Sequence, residues 1–329
     1  MRFDSRPVIL AGACIAGKRE SEGPLGKTFD ATQDDTTFGE KTWEKSESRL
    51  QKDTLALLCN KAGLTPDRVD LICAGDLLNQ CIGTSYGLRD CARPILGLYG
   101  ACATMAAGLS VAAMAVDGGY ASNAAALTSS HYCASERQYR LPLEYGGQRA
   151  PTAQWTVTGA GACMVSDAKV EGLPRIARAT FGKIVDAGVT DPAHMGGAMA
   201  PAAYETLRMH WEDTGTSPDD YDFIVTGDLG GVGRDVLLDL LKRDGLSLSG
   251  RYNDCGVMIF DTTKQGVQAG GSGCGCSAVV LCGHILAQMR AGIWQRVLFC
   301  GTGALMSPVA SLQGESIPGI CHAVCLEMN

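Results

Sequence analysis

The chain has 329 residues, a formal net charge of −7 at neutral pH, 42 glycines and 15 cysteines. Its hydrophobic fraction of 46 % excludes a disordered chain, and the glycines lack the period of three of a collagen-like fibre. The acidic balance, without any long Lys/Arg run, argues against a nucleic-acid partner. We therefore expect a globular protein with one large domain or two half-sized domains.

The first half of the chain predicts alternating strands and helices. The predicted elements, in chain order, are a strand over 8–16, an amphipathic outer helix over about 45–62, a strand within 69–80, a buried helix within 98–116, a strand over 124–130 and a strand over 158–167. The apolar stretch 8–16 is short and runs directly into Gly17-Lys18-Arg19, so we expect an internal strand rather than a signal peptide.

The second half predicts a similar series of elements. These are an outer helix over about 202–214, a strand within 221–231, a buried helix within 270–289, and strands over 297–303 and 318–327. Both buried helices lack charged residues but are rich in Ala, Gly, Ser and Cys rather than Leu, Ile and Phe. This composition favours helices at the centre of a large globular protein over membrane spans.

The two halves also match each other in sequence. Gly100-Ala101-Cys102 corresponds to Gly273-Cys274-Gly275, Gly119 corresponds to Gly292, and segment 69–80 resembles segment 221–231. Such self-similarity indicates an internal duplication. We expect an α/β protein of two duplicated β/α halves, residues 1–170 and 171–329, stacked as one compact pseudo-twofold unit in a layered α-β-α-β-α arrangement.

Cysteines inside apolar runs behave as small hydrophobes, and the close pairs Cys274-x-Cys276 and Cys321-x3-Cys325 have apolar neighbours. We therefore expect no metal site. Cys102 is different because it lies at the predicted start of a buried helix. There the helix dipole and free N–H groups would lower the thiol pKa and favour a reactive thiolate. The alternative is a small residue packed at a crowded helix start.

A cysteine nucleophile needs a base. His131 ends the predicted strand 124–130 and is expected near the same sheet edge as Cys102. His210 is expected on the surface of an outer helix and His284 in the core of the second buried helix, while His322 in the last strand fits either role.

The segment 130–148 combines charged and aromatic residues. It contains Glu136, Arg137, Arg140, Glu144, Gln148 and the tyrosines Tyr132, Tyr139 and Tyr145. Arginines beside aromatic rings suit an aromatic or carboxylate-bearing ligand. A salt-bridged loop at a subunit contact is the alternative.

Several long segments carry a resemblance to a known family. The duplicated halves and the cysteine before the first buried helix resemble the thiolase superfamily, which includes the ketoacyl synthases. AGDLLNQ (74–80), TSSHYCASERQYRLPLEYGGQ (128–148), TGDLGGVG (226–233) and AGGSGCGCSAVV (269–280) are similar to the stage V sporulation protein AD family within it. The resemblance covers essentially the whole chain.

This resemblance implies a thiolase-like fold that binds dipicolinic acid (pyridine-2,6-dicarboxylate) for uptake into the developing bacterial spore, together with the SpoVA membrane proteins. The expected location is peripheral, on the cytoplasmic face of the spore inner membrane, with no signal peptide and no transmembrane span. The ligand pocket is expected to overlie the ancestral active site and to contain Cys102 and His131.

The sequence gives a separate reason to expect binding rather than catalysis. Enzymes of this superfamily take a catalytic histidine from the start of the second buried helix, where this chain reads Gly271-Ser272-Gly273-Cys274-Gly275. We therefore expect an incomplete catalytic set. The alternatives are an active acyltransferase that uses Cys102, and a purely structural subunit of the SpoVA membrane complex.

The expected ligand-binding residues are Cys102, His131, Arg137, Ser272, Asp76 and Asp228. Asp76 and Asp228 follow paired strands. Three roles are open for them: to orient the protein donors that bind the ligand, to reach a calcium ion that accompanies the ligand, or to cap the turn after each strand. We expect no other cofactor. A homodimer is possible on superfamily analogy, through an edge strand at about 119–130.

Overall fold

The structure is a computed structural model that describes residues 1–139 and 149–328. The strands in this part of the chain are β1 (Val8–Gly17), β2 (Ala31–Gln33), β3 (Leu71–Gly75), β4 (Ile95–Gly97), β5 (Asn123–Ser130), β6 (Trp155–Thr156), β7 (Gly159–Ser166), β8 (Arg175–Phe181), β9 (Phe223–Thr226), β10 (Tyr252–Asp254), β11 (Gly271–Ser272), β12 (Arg296–Ala304) and β13 (Gly319–Glu327).

The helices alternate with these strands along the chain. They are α1 (Lys18–Ser21), α2 (Trp43–Ala62), α3 (Ile82–Leu88), α4 (Thr104–Asp117), α5 (Tyr132–Tyr139), α6 (Met195–Thr214), α7 (Gly230–Arg243), α8 (Cys255–Ile259), α9 (Cys274–Val280), α10 (Leu286–Arg290) and α11 (Pro308–Leu312). A π-helical turn, Leu281–Ile285, joins α9 to α10.

The main sheet repeats one strand pattern in the two halves. The first half has the order β4-β3-β5-β7-β1 and the second half the order β10-β9-β12-β13-β8. In both, the three outer strands run parallel and the next two pairings are antiparallel. The halves join at one antiparallel pair, Val8 with Arg175. The loop between β7 and β8 separates them in sequence.

Two helices lie between the half-sheets, which confirms the predicted layers. Helix α4 contacts β3 and β5 on one side and β12 and β13 on the other, and α9 contacts α4, β5 and β7. Helix α2 packs on the outer face of β1 and β7, and α6 on that of β12 and β13. Small side chains such as Ala106 and Ala112 are fully buried in the central layer. They allow a helix to fit between two sheets.

The outer helices end as predicted, but α6 begins earlier than the expected residue 202. Both α2 and α6 end at a glycine in the left-handed conformation, Gly63 with φ 66° and Gly215 with φ 63°. Helix α6 starts at Met195 and continues through Pro201. Its early glycines permit close packing: a Cβ on Gly196 would lie 2.4 Å from the Leu229 carbonyl oxygen.

The expected dimer edge at 119–130 is wrong. Strand β5 pairs with β3 on one side and β7 on the other, and all its residues are buried. The outer strand of the first half is β4, whose residues are exposed. Within the described residues, no helix is long and apolar enough to cross a membrane.

Candidate functional site

Cys102 lies just before α4, where a tight backbone turn brings it between the two halves. Ala101 adopts φ 48°, a left-handed conformation that is rare for a residue with a side chain. Strand β12 passes so close that a Cβ on Gly303 would lie 2.5 Å from the Gly100 carbonyl oxygen. Cys102 is consequently enclosed, and the residue is only 6 % exposed.

The thiol of Cys102 is hydrogen-bonded to the carboxyl group of Asp228, which follows β9 in the other half of the chain. The same carboxyl accepts two more hydrogen bonds. The Gly273 N–H donates to Oδ2 at 2.9 Å, and the Thr302 hydroxyl donates to Oδ1 at 2.8 Å. Gly273 reaches this position with φ 104°, which favours glycine.

Burial dominates the ionisation of this pair. It raises the pKa of Asp228 from 3.8 to about 7, although its three hydrogen-bond donors favour the charged form. Burial and then the negative charge of Asp228 raise the pKa of Cys102 well above its ordinary value of 9.0. The predicted lowering of the Cys102 pKa is therefore wrong. The helix starts two residues beyond Cys102, and its N-terminal field does not outweigh these two effects.

A pocket opens directly above Cys102. It encloses about 420 Å³ of empty space when its open mouth is included, of which about 40 Å³ can hold the centre of a water molecule. Its walls come from both halves of the chain: Leu77, Tyr99, Ala101, Cys102, Ser135, Glu136, Tyr139, Thr156, Met195, Ser272, Ala304 and Met306. The smaller figure corresponds to about three water molecules.

Two tyrosines stand on one wall of the pocket. The hydroxyl groups of Tyr99 and Tyr139 are 2.8 Å apart, and the Tyr139 hydroxyl also donates to the carbonyl of Leu77. Burial raises the pKa of both tyrosines, so both hydroxyls are protonated at neutral pH. The tyrosines thus offer aromatic faces and hydrogen-bond donors to a ligand, while their mutual contact narrows the space between them.

Helix α5 adds two buried polar side chains. The Ser135 hydroxyl is buried and has no hydrogen-bond partner among the described residues. The Glu136 carboxylate accepts from the Thr156 hydroxyl at 3.1 Å and lies 3.5 Å from the Arg149 guanidinium. Buried polar groups normally have partners. A ligand hydrogen-bonded to Ser135 would satisfy its hydroxyl.

His131 does not lie in the Cys102 pocket, contrary to expectation. Its Nε2 donates to the Thr36 carbonyl at 2.8 Å, and its Nδ1 accepts from the Ala134 N–H at the start of α5. Burial lowers its pKa, so the ring is neutral. It lines a second cavity near the start of α5, together with Lys18 and Arg19, which encloses about 740 Å³ of empty space when its open mouth is included.

Arg137 and Asp76 also lie outside the pocket. Arg137 is exposed, forms an ion pair with Glu44 and lies 5.2 Å from the ring centre of Trp43. Asp76 is fully buried and accepts from the N–H and hydroxyl of Thr84, each at 2.7 Å. Of the alternative roles of Asp76, capping the turn after β3 is the one that these hydrogen bonds support. Ser272, by contrast, lines the pocket beside Cys102 as expected.

The remaining histidines are structural. His210, expected on the surface, is fully buried between the Thr180 and Tyr221 hydroxyls at 2.8 Å each, and burial lowers its pKa to about 4. His284, expected in the core, is half-buried and packs edge-on against Trp294. His322 accepts from the Gly182 N–H.

Sequence reasoning missed several pocket residues. Tyr99, Ser135, Thr156, Met195 and Met306 carried no motif that marked them. Ser135 and Tyr139 are four residues apart on α5 and therefore share one helix face, which is a periodic signal. Arg140, Glu144, Tyr145 and Gln148 of the predicted polar segment lie outside the described residues.

No metal centre is found among residues 1–139 and 149–328: no group of three or more His, Cys, Asp or Glu side chains could hold an ion there. Asp76 and Asp228 face different environments, and the oxygens of both already accept hydrogen bonds from the chain. Calcium commonly takes six to eight oxygen ligands. The chain alone does not supply such a set at either aspartate.

Comparisons with known proteins agree on family and fold. The family model "Stage V sporulation protein AD (SpoVAD)" matches residues 1–327. The stage V sporulation protein AD of Bacillus subtilis (strain 168) is 47% identical over 325 residues, which cover 99% of this chain and 95% of the relative.

Several solved structures show the same fold. A variant of OleA from Xanthomonas campestris has a TM-score of 0.64 at 14% identity, covering 99% of both chains. A tetronic acid condensing enzyme has a TM-score of 0.62 at 19% identity (97% and 99% covered). The 3-oxoacyl-[acyl-carrier-protein] synthase III of Aquifex aeolicus has 0.56 at 13% (98% and 99%). At these identities, the likeness extends to the fold alone.

Proposed function

Because this chain belongs to the stage V sporulation protein AD family, we propose that it binds dipicolinic acid in the Cys102 pocket and takes part in the uptake of that compound into the developing spore. The observation that carries the proposal is the Cys102–Asp228 pair at the floor of a pocket with polar and aromatic walls. The thiol there is protonated and has no histidine partner among the described residues, which favours binding over acyl transfer.

Dipicolinate is a rigid, planar pyridine ring with two carboxylates. The pocket offers hydroxyl donors to such a ligand from Tyr99, Ser135 and Ser272. The apolar side chains of Met195 and Met306 provide walls against which a flat ring can pack. Orientation by a few polar groups within mainly apolar walls is typical of small-molecule sites.

The pocket must widen to admit the ligand. A space of about 40 Å³ holds a few water molecules but not an aromatic dicarboxylate. The hydroxyl groups of Tyr99 and Tyr139, which contact each other on one wall, restrict this space. We expect the hydroxyl contact between Tyr99 and Tyr139 to break when the ligand enters, so that both hydroxyls can donate to the ligand.

Isothermal titration calorimetry with dipicolinate tests this proposal. We expect saturable binding of one ligand per chain and at least tenfold weaker binding by Tyr139→Ala, because this change removes a wall and a donor. Arg137→Ala is the matched control: it changes the same helix outside the pocket and is expected to bind as the unaltered chain does. Absence of binding heat from folded protein would contradict the proposal.

The cavity beside His131 is the alternative location for the ligand. Lys18 and Arg19 at that cavity carry positive charges that suit a dicarboxylate. A Lys18→Ala variant is expected to retain binding if the Cys102 pocket is the site. Loss of binding in Lys18→Ala together with normal binding by Tyr139→Ala would place the ligand in the cavity beside His131 instead.

Acyl transfer by Cys102 is the second candidate function, favoured by the strained Ala101 backbone that presents the thiol at the pocket floor. An acyl-coenzyme A analogue would then label Cys102 covalently, and Cys102→Ser would abolish the label. We expect no label from a binding protein. A purely structural subunit would show neither label nor binding heat.

The wider role extends the same proposal. We place the chain peripherally at the cytoplasmic face of the spore inner membrane, attached through the SpoVA membrane proteins, with a homodimer and a ligand-borne calcium ion as further features. Membership of a sporulation protein family supports a role in the developing spore. Fractionation of sporulating cells, with and without the SpoVA membrane proteins, tests the attachment. Titrations with and without calcium test the ion.

A further inference from the structure

The charges around the Cys102 pocket do not suit a dianion by themselves. Among the described lining residues, Glu136 is the one side chain with a carboxyl group, and none is Lys, Arg or His. The guanidinium of Arg149, beside Glu136, is already engaged: it contacts Glu136 and donates to the Gln154 carbonyl and the Tyr132 hydroxyl. A ligand with two carboxylates therefore meets no Lys, Arg or His side chain among the lining residues that the structure describes.

Asp228 places a carboxyl group below the pocket floor. It is fully buried, and it reaches the pocket through its hydrogen bond with Cys102. The groups that face it come from every neighbouring element. They are the thiol of Cys102 before α4, the acid groups of Asp254 and Cys255 at α8, the thiols of Cys274 and Cys276 on α9, the hydroxyl of Thr302 on β12 and the N–H of Gly273.

All the titratable members of this set are acids. The donors that favour the carboxylate are the Gly273 N–H, the Thr302 hydroxyl and the Cys102 thiol, none of which carries a charge. Asp228 can therefore remove its negative charge only by taking a proton. Because its pKa is about 7, this step lies within the physiological range.

We propose that the pocket takes its dicarboxylate ligand together with one proton, and that Asp228 is the residue that holds the proton. This inference rests on the proposed function. Above neutral pH the free protein carries an ionised Asp228, and ligand entry draws one proton from solvent onto its carboxyl group. Below neutral pH the carboxyl is already protonated, and binding takes up no further proton there.

The pH dependence of affinity follows from this linkage. Between pH 5.5 and 6.5 the affinity is expected to be flat, because ligand and Asp228 keep their protonation states. Above pH 7 each added pH unit is expected to weaken binding up to tenfold, since one proton enters with each ligand. Raised pH thus favours release of the ligand.

Calorimetry of dipicolinate binding, run from pH 6 to pH 8.5 in buffers of different ionisation heats, counts the protons directly. For the unaltered chain we expect uptake near zero at pH 6 and near one at pH 8.5. Asp228→Asn is expected to bind with no proton uptake and with pH-independent affinity. Asp76→Asn, at the equivalent buried position outside the pocket, is the control and is expected to keep the uptake.

A second variant covers the case in which Asp228→Asn does not fold. Thr302→Val removes the hydroxyl that donates to Oδ1, so it disfavours the carboxylate and is expected to move the onset of proton uptake to higher pH. Uptake unchanged in Thr302→Val would overturn the assignment to Asp228.

The outcomes separate this inference from the proposed function. Binding by the unaltered chain without proton uptake, or binding that requires calcium and takes up no proton, overturns the inference and leaves the proposed function standing. Uptake that persists in Asp228→Asn also overturns it. No binding at any pH, with or without calcium, contradicts both.

Discussion

Glu20→Gln is expected to change the pH dependence of stability. Glu20 lies on α1, is 1 % exposed and accepts a hydrogen bond from the Thr158 N–H at 2.9 Å. Burial raises the pKa of Glu20 from 4.5 to about 7, against the hydrogen bonds that favour its carboxylate. Glutamine keeps an oxygen that accepts from Thr158 but carries no ionisable proton.

The sign and size of this change in the free energy of unfolding follow from the linkage between proton binding and folding. An acid whose pKa is raised on folding holds its proton more tightly in the folded chain, so its contribution to stability is complete below about pH 4.5 and is lost as pH rises to about 7. A change from 4.5 to about 7 corresponds to about 3 kcal/mol. The unaltered chain should lose this amount relative to Glu20→Gln across that window.

Urea unfolding between pH 4.5 and 8.5 measures this difference. Glu22→Gln is the matched control, because Glu22 is exposed close to Glu20 in the sequence. We expect the Glu20→Gln curve to be flatter than that of the unaltered chain by about 3 kcal/mol over the range, and the Glu22→Gln curve to follow the unaltered chain. Parallel curves for Glu20→Gln and the unaltered chain would refute the reasoning.

Three further predictions concern the core and the site. Leu109→Ala, in the helix between the sheets, should lower the free energy of unfolding by about 2–5 kcal/mol in urea titrations, since it leaves a cavity at a fully buried leucine; a loss below 1 kcal/mol would contradict close packing there. Gly273→Ala places a Cβ 2.7 Å from the Ser130 hydroxyl at φ 104° and should cost about 1–3 kcal/mol, seen as a lower melting temperature; an unchanged value would show that the turn tolerates a side chain. Cys102 should react with iodoacetamide at pH 8 much more slowly in the folded than in the unfolded chain, because its pKa is raised, and Asp228→Asn should accelerate the reaction; mass spectrometry of the modified peptide gives the rates, and equal rates in folded and unfolded protein would contradict the assignment.

Much of the fold could be predicted because its signals are local. The matched glycines Gly119 and Gly292 mark the ends of two equivalent helical segments, and both have left-handed backbones, with φ 75° and 74°. Charge-free runs of small residues predicted helices buried on all sides, and the structure places α4 and α9 between the sheets. Helix starts were less predictable. The glycines at the start of α6 indicate a turn in the sequence, but in the structure they allow α7 to pack closely against α6.

The candidate site could be predicted only in part. Cys102 and Ser272 were found because each stands beside a glycine turn before a buried helix. Asp76 and Asp228 occupy equivalent positions in the sequence. In the structure, Thr84 of the same half donates a hydrogen bond to Asp76, whereas Cys102 of the opposite half contacts Asp228. His131 follows β5 as predicted, but its ring turns to Thr36, away from the pocket.

The sequence by itself determined the duplicated α/β architecture, the family and the position of the central thiol. These features depend on composition, periodicity and turn residues, each of which acts over a short stretch of chain. Only the tertiary structure decided that Asp228 lies against Cys102 and that burial raises the pKa of both groups. Contact and dielectric environment depend on how distant segments pack, and no local pattern in either half records them.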